Sequence, residues 1–236
     1  MNKLIKRFDE IITRNQNKPE VLAFIGLGSM SNTKRMDAYS DIDFFIIVKD
    51  AYKDQYLKDL SWLQVEDIIW HYQETKDGLK VLYRDRIFLE FAVFTASEMK
   101  QIEYTDGIIY YQSKDIDDDT LAPRAYKHKP IDPMYELNTF LSNIYIGLLR
   151  DHRQEKSAAF LMIQVYASNH FLKLLDQHPD DPYTVERRIE QRLNLAYDKL
   201  YPGVMSNRDS ARYQLNEIKK HYALNEAFVH IIEALM

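Results

Sequence analysis

The sequence predicts an α+β protein in which an N-terminal domain, a mixed β-sheet flanked by helices, precedes a C-terminal helical bundle. In the first half, short apolar runs alternate with turn signals, whereas in the second half apolar residues recur at helical spacing. Between the halves, residues 115–133 combine an acidic cluster with three prolines and have no clear period. We therefore expect an N-terminal domain at residues 1–118, a linker at 119–132 and a helical domain at 133–236.

The elements of the first half follow from their apolar patterns. Charges interrupt the apolar residues of segment 3–14, which predicts an amphipathic helix, and a second helix is predicted at 51–61. Residues 76–78 (KDG) are typical of a hairpin turn, and Thr95 or Ser97 is placed to cap a short helix. The predicted strands are 20–27, 41–48, 67–74, 79–84, 86–94 and 107–112.

The second half predicts three main helices. The first follows Pro133, and the second, at 157–177, is apolar on most sides and is expected to be the central, buried helix. Asp181-Pro182 is a typical start for the third helix, and Pro202-Gly203 is a typical end. The apolar positions that predict this third helix are Val185, Ile189, Leu193, Ala196 and Leu200.

Composition excludes several classes of function. The 236 residues contain no cysteine, which excludes disulfides and thiolate chemistry and fits a reducing, cytoplasmic location. The formal net charge of -5 opposes broad attraction to nucleic acid or anionic lipid. No apolar run approaches the ~20 residues that span a bilayer, and none is typical of a signal peptide. We therefore expect no nucleic-acid or membrane partner, and the sequence leaves a homodimer open.

The most informative motif is Gly28-Ser29 followed by Asp41-Ile42-Asp43. Glycine lets the backbone approach a phosphate closely, and the Ser29 hydroxyl is a donor for it; Ser40 is a second donor. Residues two apart in a strand share a face, so Asp41 and Asp43 are expected to project together and to bind divalent cations through oxygen. By itself the Gly-Ser segment is more typical of a tight turn, and the linked aspartates reverse that interpretation.

Glu90 is the expected third carboxylate. It is the only acidic residue in the apolar segment 87–94, and burying it would cost several kcal/mol unless a metal or a partner compensates. Beside a metal, it could also accept a proton from an attacking hydroxyl. The alternative is an edge strand on which Glu90 faces water.

These residues resemble the signature of the DNA polymerase β nucleotidyltransferase superfamily, in which Gly-Ser is followed about ten residues later by Asp-x-Asp in a strand. The match covers residues 22–48, and Glu90 extends it. Within the superfamily, the chain resembles bacterial antibiotic nucleotidyltransferases that modify aminoglycosides or lincosamides and add a C-terminal helical domain. The resemblance implies AMP transfer from ATP with two Mg²⁺ ions, release of pyrophosphate, and a small hydroxylated acceptor held between the two domains.

The resemblance also assigns roles residue by residue. Many relatives carry an Arg and a further Gly between the serine and the aspartates, where this chain has SNTKRMDAY. In this interpretation Lys34 and Arg35 supply the positive charge, and the choice of nucleotide stays open. Relatives also use a basic residue of the helical domain to bind the triphosphate, for which Arg150 and Lys156 are the candidates; a solvated helix end is an equal alternative. The implied phosphate contacts are Gly28, Ser29 and Ser40, and the implied metal ligands are Asp41, Asp43 and Glu90.

Two other functions remain alternatives at this point. A nucleotidyltransferase of this type could modify a protein partner, although such relatives are usually compact single domains. The fold could instead bind nucleotide without catalysis, although three mutually repelling carboxylates have no physical reason to persist in such a site. We therefore expect an adenylyltransferase that acts on a small molecule.

Overall fold

A computed structural model describes residues 2–104, 106–124, 131–176, 185 and 189–236. The chain divides into two compact units, residues 1–127 and 128–236. The first unit contains a mixed β-sheet with helices, and the second is helical in the residues described. The α+β class predicted from the sequence is therefore confirmed, and the division falls inside the predicted linker, whose limits stay a prediction.

The sheet of the first unit has six strands in the order β3-β4-β5-β2-β1-β6. Strands β2 and β5 pair in parallel, and the other neighbours are antiparallel. The strands are β1 Val21–Leu27, β2 Ile42–Val48, β3 Ile68–Gln73, β4 Gly78–Tyr83, β5 Phe88–Thr95 and β6 Ile108–Gln112. The helices of this unit are α1 Lys3–Asn15, α2 Lys53–Lys58, α3 Ala96–Met99 and α4 Asp118–Leu121.

The two faces of the sheet are packed differently. Helix α1 covers one face, where Phe8 contacts Phe24 and Phe44 and all three rings are fully buried. On the opposite face a smaller apolar cluster includes Ile25 and Ile47 and receives side chains from α3 and α4. Because this second cluster covers only part of its face, the rest of that face is available for polar side chains.

The helix predicted at 51–61 is interrupted. A 3₁₀ turn at Asp50–Tyr52 precedes α2, and another at Leu60–Leu63 follows it. Asp59 has an extended backbone, and its carboxylate accepts a hydrogen bond from the Ser61 N–H at 2.9 Å. This local bond competes with the helical pattern, so α2 ends one residue before Asp59.

The short helix after β5 is capped as predicted. Thr95 accepts the Glu98 N–H, and the Glu98 carboxylate accepts the Thr95 N–H, which forms a capping box. Further along, α4 lies at the start of the predicted linker, and its Leu121 is fully buried in the second cluster. This part of the linker is therefore packed into the first unit.

The second unit is built around α5, Pro133–His152, which Asp132 caps through its side chain. Its other described helices are α6 Lys156–Phe160, α7 Ser168–Leu175, α8 Ile189–Arg192, α9 Tyr197–Leu200, α10 Asn207–Ile218 and α11 Glu226–Glu233. A π-helical segment, Leu161–Ala167, joins α6 to α7. Its buried positions, which include Ile163 and Ala167, pack against α5.

Two expectations for this unit were wrong. The helix predicted at 157–177 is not buried all round, because Leu161, Val165 and Tyr166 form an exposed side. The pattern from Val185 to Leu200 does not form one helix, since the described residues there form two separate turns, α8 and α9. Between them, the Ala196 N–H is bound by the Tyr213 hydroxyl at 2.8 Å and not by a helical carbonyl. The predicted start at Asp181-Pro182 lies outside the described residues.

Within the part of the chain that the structure describes, no helix combines the length and hydrophobicity needed to cross a membrane.

Candidate active site

The turn after β1 brings Gly28 against the carboxylate of Asp43. Gly28 has a φ of +52°, a left-handed conformation that favours glycine. A side chain at this position would collide with the Asp43 carboxylate. Gly28 begins a 3₁₀ turn, Gly28–Met30, that leads away from the strand. The absence of a side chain is therefore required both by the backbone angle and by the space beside Asp43.

Ser29 links this turn to the start of β2. Its hydroxyl donates a hydrogen bond to the backbone carbonyl of Asp41 at 3.0 Å. Asp41 comes directly before β2, which begins at Ile42. The bond therefore fixes the position of Asp41 relative to the end of β1.

Three carboxylates converge beside this turn. Asp43 on β2 pairs with Glu90 on β5 in the parallel register, and Asp41 lies two residues before Asp43. One oxygen from each of Asp41, Asp43 and Glu90 lies within 4.8 Å of the others. The structure therefore brings the three predicted metal ligands together on one face of the sheet, called here the carboxylate face.

The residues fit a hard divalent cation. Opposite oxygen ligands of one Mg²⁺ ion are about 4.2 Å apart, which is compatible with carboxylate oxygens that all lie within 4.8 Å of one another. Asp41 and Asp43 are half-buried and Glu90 is exposed, so an ion held here could keep several waters, as Mg²⁺ usually does. Asp41, Asp43 and Glu90 are therefore the residues that would hold a metal.

The sequence-based reason for selecting Glu90 needs correction. Its side chain is 49% exposed and is not buried in the apolar strand. Strand β5 lies inside the sheet between β4 and β2, so the alternative was wrong about an edge strand but right that Glu90 faces solvent. Alternate residues of β5 face the core, namely Leu89, Phe91 and Val93, while Glu90 projects from the opposite face.

On the next strand, β4, Lys80 lies beside the cross-strand pair of Asp43 and Glu90. It lies opposite Glu90 on β4, with its ammonium 3.7 Å from the Glu90 carboxylate and 2.8 Å from that of Glu74. The hydrogen bond to Glu74 is the main cause that raises the pKa of Lys80, and the charge of Glu90 contributes. Lys80 therefore balances part of the negative charge around the site.

A cleft of about 310 Å³ opens beside Asp43 and Glu90. Its apolar lining includes Leu27, Phe45 and Ala92, and the turn between β3 and β4 contributes polar groups. The full lining is Leu27, Asp43, Phe44, Phe45, Glu74, Thr75, Gly78, Leu79, Glu90, Phe91 and Ala92. The site thus joins a carboxylate cluster to a cavity large enough for part of a small molecule.

Lys53 anchors the turn that borders this cleft. Its ammonium lies 2.6 Å from Asp77, in the turn between β3 and β4, and 2.5 Å from Glu98. Burial of Lys53 would lower its pKa, but hydrogen bonds and charge attraction from Asp77 and Glu98 outweigh it and raise the pKa. The ion pairs hold the turn against α2 and the start of α3.

The remaining phosphate candidates of the first unit are Ser40, Lys34 and Arg35. Ser40 accepts the Asp37 N–H at 2.9 Å and donates to the Asp37 carboxylate at 3.2 Å, so its hydroxyl closes a local turn before Asp41. Lys34 is exposed in the 3₁₀ turn Thr33–Arg35. The side chain of Arg35 lies outside the described part of the structure. Their predicted contacts with phosphate stay predictions.

The basic candidates of the second unit are Arg150 and Lys156. Lys156 lies 2.8 Å from the buried carboxylate of Asp151, which also accepts hydrogen bonds from Asn207 and Arg208. Lys156 therefore has a structural role that sequence reasoning did not identify. Arg150 is half-buried near the end of α5, and its predicted role stays a prediction.

Sequence reasoning also missed the residues that flank Glu90 across the sheet. Lys80, Tyr72 and Trp70 were recognised only as parts of two strands, with no role assigned. The predicted strands 67–74 and 79–84 gave no register, and only the register places Lys80 opposite Glu90 and Tyr72 opposite Lys80. The alternation of buried and partly buried residues in β4, which follows the apolar residues Leu79, Val81 and Tyr83, could have suggested Lys80.

No family model matches the chain, and no curated protein matches it. Several solved structures are similar to it. A nucleotidyltransferase-like protein from Exiguobacterium sibiricum 255-15 is 12% identical with a TM-score of 0.37, covering 97% of this chain and 74% of its own. An aminoglycoside 6-adenyltransferase from Bacillus subtilis is 11% identical with a TM-score of 0.33, covering 99% and 97%. A STING-associated CdnE c-di-GMP synthase from Capnocytophaga granulosa is 16% identical with a TM-score of 0.33, covering 99% and 77%.

Identities and TM-scores this low carry no functional assignment. The geometry of Asp41, Asp43, Glu90 and the Gly28-Ser29 turn is therefore the basis for inferring what this site does.

Proposed function

We propose that this protein is a Mg²⁺-dependent nucleotidyltransferase that moves AMP from ATP to a hydroxyl of a small molecule and releases pyrophosphate. The observation that carries the proposal is the convergence of Asp41, Asp43 and Glu90 next to the Gly28-Ser29 turn. A phosphate turn beside three clustered carboxylates supports chemistry at a nucleoside triphosphate. The conclusion agrees with the superfamily resemblance drawn from the same residues.

The proposed reaction forms one bond and breaks one. The acceptor oxygen bonds to the α-phosphorus of ATP, the bond from that phosphorus to the bridging oxygen breaks, and pyrophosphate leaves. When bound, two Mg²⁺ ions would neutralise the charge of the triphosphate. Glu90, the most exposed of the three carboxylates, accepts the proton of the acceptor hydroxyl.

The protein contributes position as well as charge. Asp41 and Asp43 would hold the cations on the side of β2, and the absence of a side chain at Gly28 lets the turn lie against the Asp43 carboxylate. The Ser29 hydroxyl keeps Asp41 in place by donating a hydrogen bond to the backbone carbonyl of Asp41. Such fixed placement of the reacting groups supplies much of the rate enhancement in phosphoryl chemistry.

A small acceptor is favoured over nucleic acid because the chain carries a net charge of -5. The proposed acceptors are aminoglycosides and lincosamides, which enter through the sequence resemblance and are the first compounds to test. Transfer to a protein partner is the competing reaction. Incubating labelled ATP with cell lysate separates the two, because a labelled protein band would reveal a macromolecular acceptor.

The main test is a pyrophosphate-release screen of the purified protein. ATP, GTP, CTP and UTP are each offered with a panel of aminoglycosides, lincosamides and simple sugars, with Mg²⁺ or with EDTA. We expect release that requires Mg²⁺, ATP and one class of acceptor. Loss of a metal ligand removes several kcal/mol of charge stabilisation, so Asp43→Asn and Glu90→Gln should each reduce turnover about a thousandfold.

The matched control is Asp54→Asn, which removes a carboxylate from a surface pair with Lys58. It should leave turnover unchanged. Full activity of Asp43→Asn, or release that is indifferent to EDTA, contradicts the proposed function.

A further inference from the structure

An irregularity in β3 turns two aromatic side chains onto the carboxylate face. Ile68 pairs with the buried Tyr83 and packs on the core side, whereas Trp70 pairs with Leu82 and Tyr72 with Lys80. The register shifts between Ile68 and Trp70, as it does at a β-bulge. In a regular strand Ile68, Trp70 and Tyr72 would share one face. The bulge instead turns Trp70 and Tyr72 to the face opposite Ile68.

These residues form a continuous aromatic surface with Phe88. The rings of Trp70 and Phe88 stack with centroids 6.2 Å apart and planes 23° apart, and the Trp70 and Tyr72 rings are 6.3 Å apart. Trp70 is 45% exposed and Tyr72 53%. We call Trp70, Tyr72 and Phe88 the aromatic shelf.

The shelf is continuous with the carboxylates. Phe88 lies two residues before Glu90 on β5, so both project from the same face. Register pairs run across this face from Asp43 to Glu90, from Glu90 to Lys80 and from Lys80 to Tyr72. Tyr72 is thus two strands from Glu90, a backbone separation of about 10 Å.

The strand order places Trp70 and Tyr72, on β3, on the opposite side of the three carboxylates from the Gly28-Ser29 turn. The Gly28-Ser29 turn follows β1, whereas the shelf lies on β3 and β5, and β2 with its aspartates lies between β1 and β5. In nucleotidyl transfer the attacking and leaving oxygens lie roughly in line on opposite sides of the phosphorus. With the triphosphate at the Gly28-Ser29 turn, the acceptor approaches from the side of Glu90 and the shelf.

We propose that the aromatic shelf binds the acceptor by stacking a flat ring of that molecule on Trp70, with its hydroxyl directed to Glu90. The inference rests on the proposed function and specifies its substrate class: a hydroxylated molecule with a planar or flat-faced ring. A nucleobase and the apolar face of a sugar ring share this chemistry. An exposed indole and phenol offer such a surface at low entropic cost, because each side chain has two rotatable bonds.

Trp70 also provides the means to test the proposal. The chain has two tryptophans, and the other, Trp62, is buried on the opposite face of the sheet. The full chain is first saturated with Mg²⁺ and the non-hydrolysable donor α,β-methylene-ATP. Fluorescence is then followed during titration with adenosine and, separately, with methyl glucopyranoside, for the wild type and for Trp70→Phe.

We expect one of these probes to change the fluorescence of the wild type and not that of Trp70→Phe. A response to adenosine identifies a base-bearing acceptor, and a response to the glucoside identifies a sugar face. If neither probe acts through Trp70, the inference is overturned. It is also overturned if α,β-methylene-ATP alone produces the Trp70 response, because the shelf would then bind the donor.

Kinetics supply the second measurement, with the acceptor that the pyrophosphate screen identifies. Trp70→Ala should raise the acceptor KM about tenfold or more and leave the KM for ATP unchanged, while Trp70→Phe retains most of the affinity. Ile108→Ala is the matched control, since Ile108 is also 45% exposed but lies on the opposite edge strand. Turnover that requires Asp43 but shows no effect of Trp70→Ala contradicts only this inference. Turnover that survives Asp43→Asn contradicts the proposed function itself.

Discussion

Asp43 and Glu90 lie directly opposite each other on the parallel strands β2 and β5. Two like charges in such a cross-strand pair repel, which lowers the stability of the sheet. Lys80, 3.7 Å from Glu90, offsets part of this repulsion. The arrangement has a measurable consequence for stability because a bound cation would reverse the effect.

We expect Asp43→Asn to raise the melting temperature in EDTA by about 1–3 °C, because cross-strand repulsion costs about 0.2–1 kcal/mol. Adding Mg²⁺ should stabilise the wild type by mass action and leave the variant unchanged. Thermal unfolding with and without Mg²⁺ measures both effects. The control is Asp54→Asn, which removes an exposed carboxylate outside the cluster. Its melting temperature should match that of the wild type both with and without Mg²⁺. A wild type that gains no stability from Mg²⁺ contradicts the metal site.

Gly28→Ala should disable the site without unfolding the protein. Its methyl group would collide with the Asp43 carboxylate, and its backbone would be held in the left-handed region at a cost of about 1–2 kcal/mol. Turnover should fall at least about tenfold. The control is Gly203→Ala, which has a φ of +99° but meets no atom within 4 Å. Equal turnover of the two variants would show that contact with Asp43 is unimportant.

Ser29→Ala should weaken metal binding more than nucleotide binding. The hydroxyl holds the Asp41 carbonyl at 3.0 Å, and loss of such an outer contact typically costs about 10- to 100-fold in metal affinity. The Mg²⁺ concentration that gives half-maximal turnover should rise, and Ser29→Thr should retain the wild-type value. A change in the KM for ATP alone would instead favour the phosphate contact that the sequence resemblance implies.

Asp151 should make the second unit acid-sensitive. Burial would raise its pKa, but hydrogen bonds from Lys156, Asn207 and Arg208 outweigh burial and hold the pKa below its ordinary value of 3.8. Because the folded-state pKa is depressed, the carboxylate stabilises the fold fully at pH values above its ordinary, unfolded-state pKa. This contribution is lost as the pH falls from there through the folded value.

The check compares urea unfolding of the wild type and Asp151→Asn between pH 3 and 7. We expect the variant to be about 3 kcal/mol less stable near neutral pH, with the difference shrinking below about pH 4. Asp209→Asn, in an exposed pair with Arg212, should cost less than about 1 kcal/mol. A difference between wild type and Asp151→Asn that is constant down to pH 3 would contradict this assignment.

Much of the fold was predictable because local patterns agree with the final structure. Segment 3–14 became α1, and the predicted strands 20–27 and 41–48 became β1 and β2 within a residue at each end. The helix predicted at 51–61 did not form over its whole length, because a local hydrogen bond at Asp59 overrides its apolar pattern. The pattern of residues 185–200 failed because Tyr213, distant in sequence, binds the Ala196 N–H that a continuous helix would need.

The candidate site shows the same division. Asp41, Asp43 and Gly28-Ser29 were identifiable because their chemistry lies within one short stretch of chain. Glu90 was identified for the wrong reason, since it is exposed and not buried. Lys156 was a candidate for binding the triphosphate, with a solvated helix end as an equal alternative, and that role stays a prediction. Its ion pair with Asp151 was not identified, because charge patterns alone did not select that neighbour.

The sequence by itself determined the α+β class, the turn at Gly28 and the two aspartates, because strand alternation and backbone preference act over a few residues. Only the tertiary structure decided that Glu90 faces Asp43, that Lys80 stands beside both Glu90 and Glu74, and that Trp70 and Tyr72 share their face. Those relationships depend on strand order, on register and on one bulge in β3. Register is set by the packing of the whole sheet, and a shift of one residue moves every side chain of a strand to the opposite face.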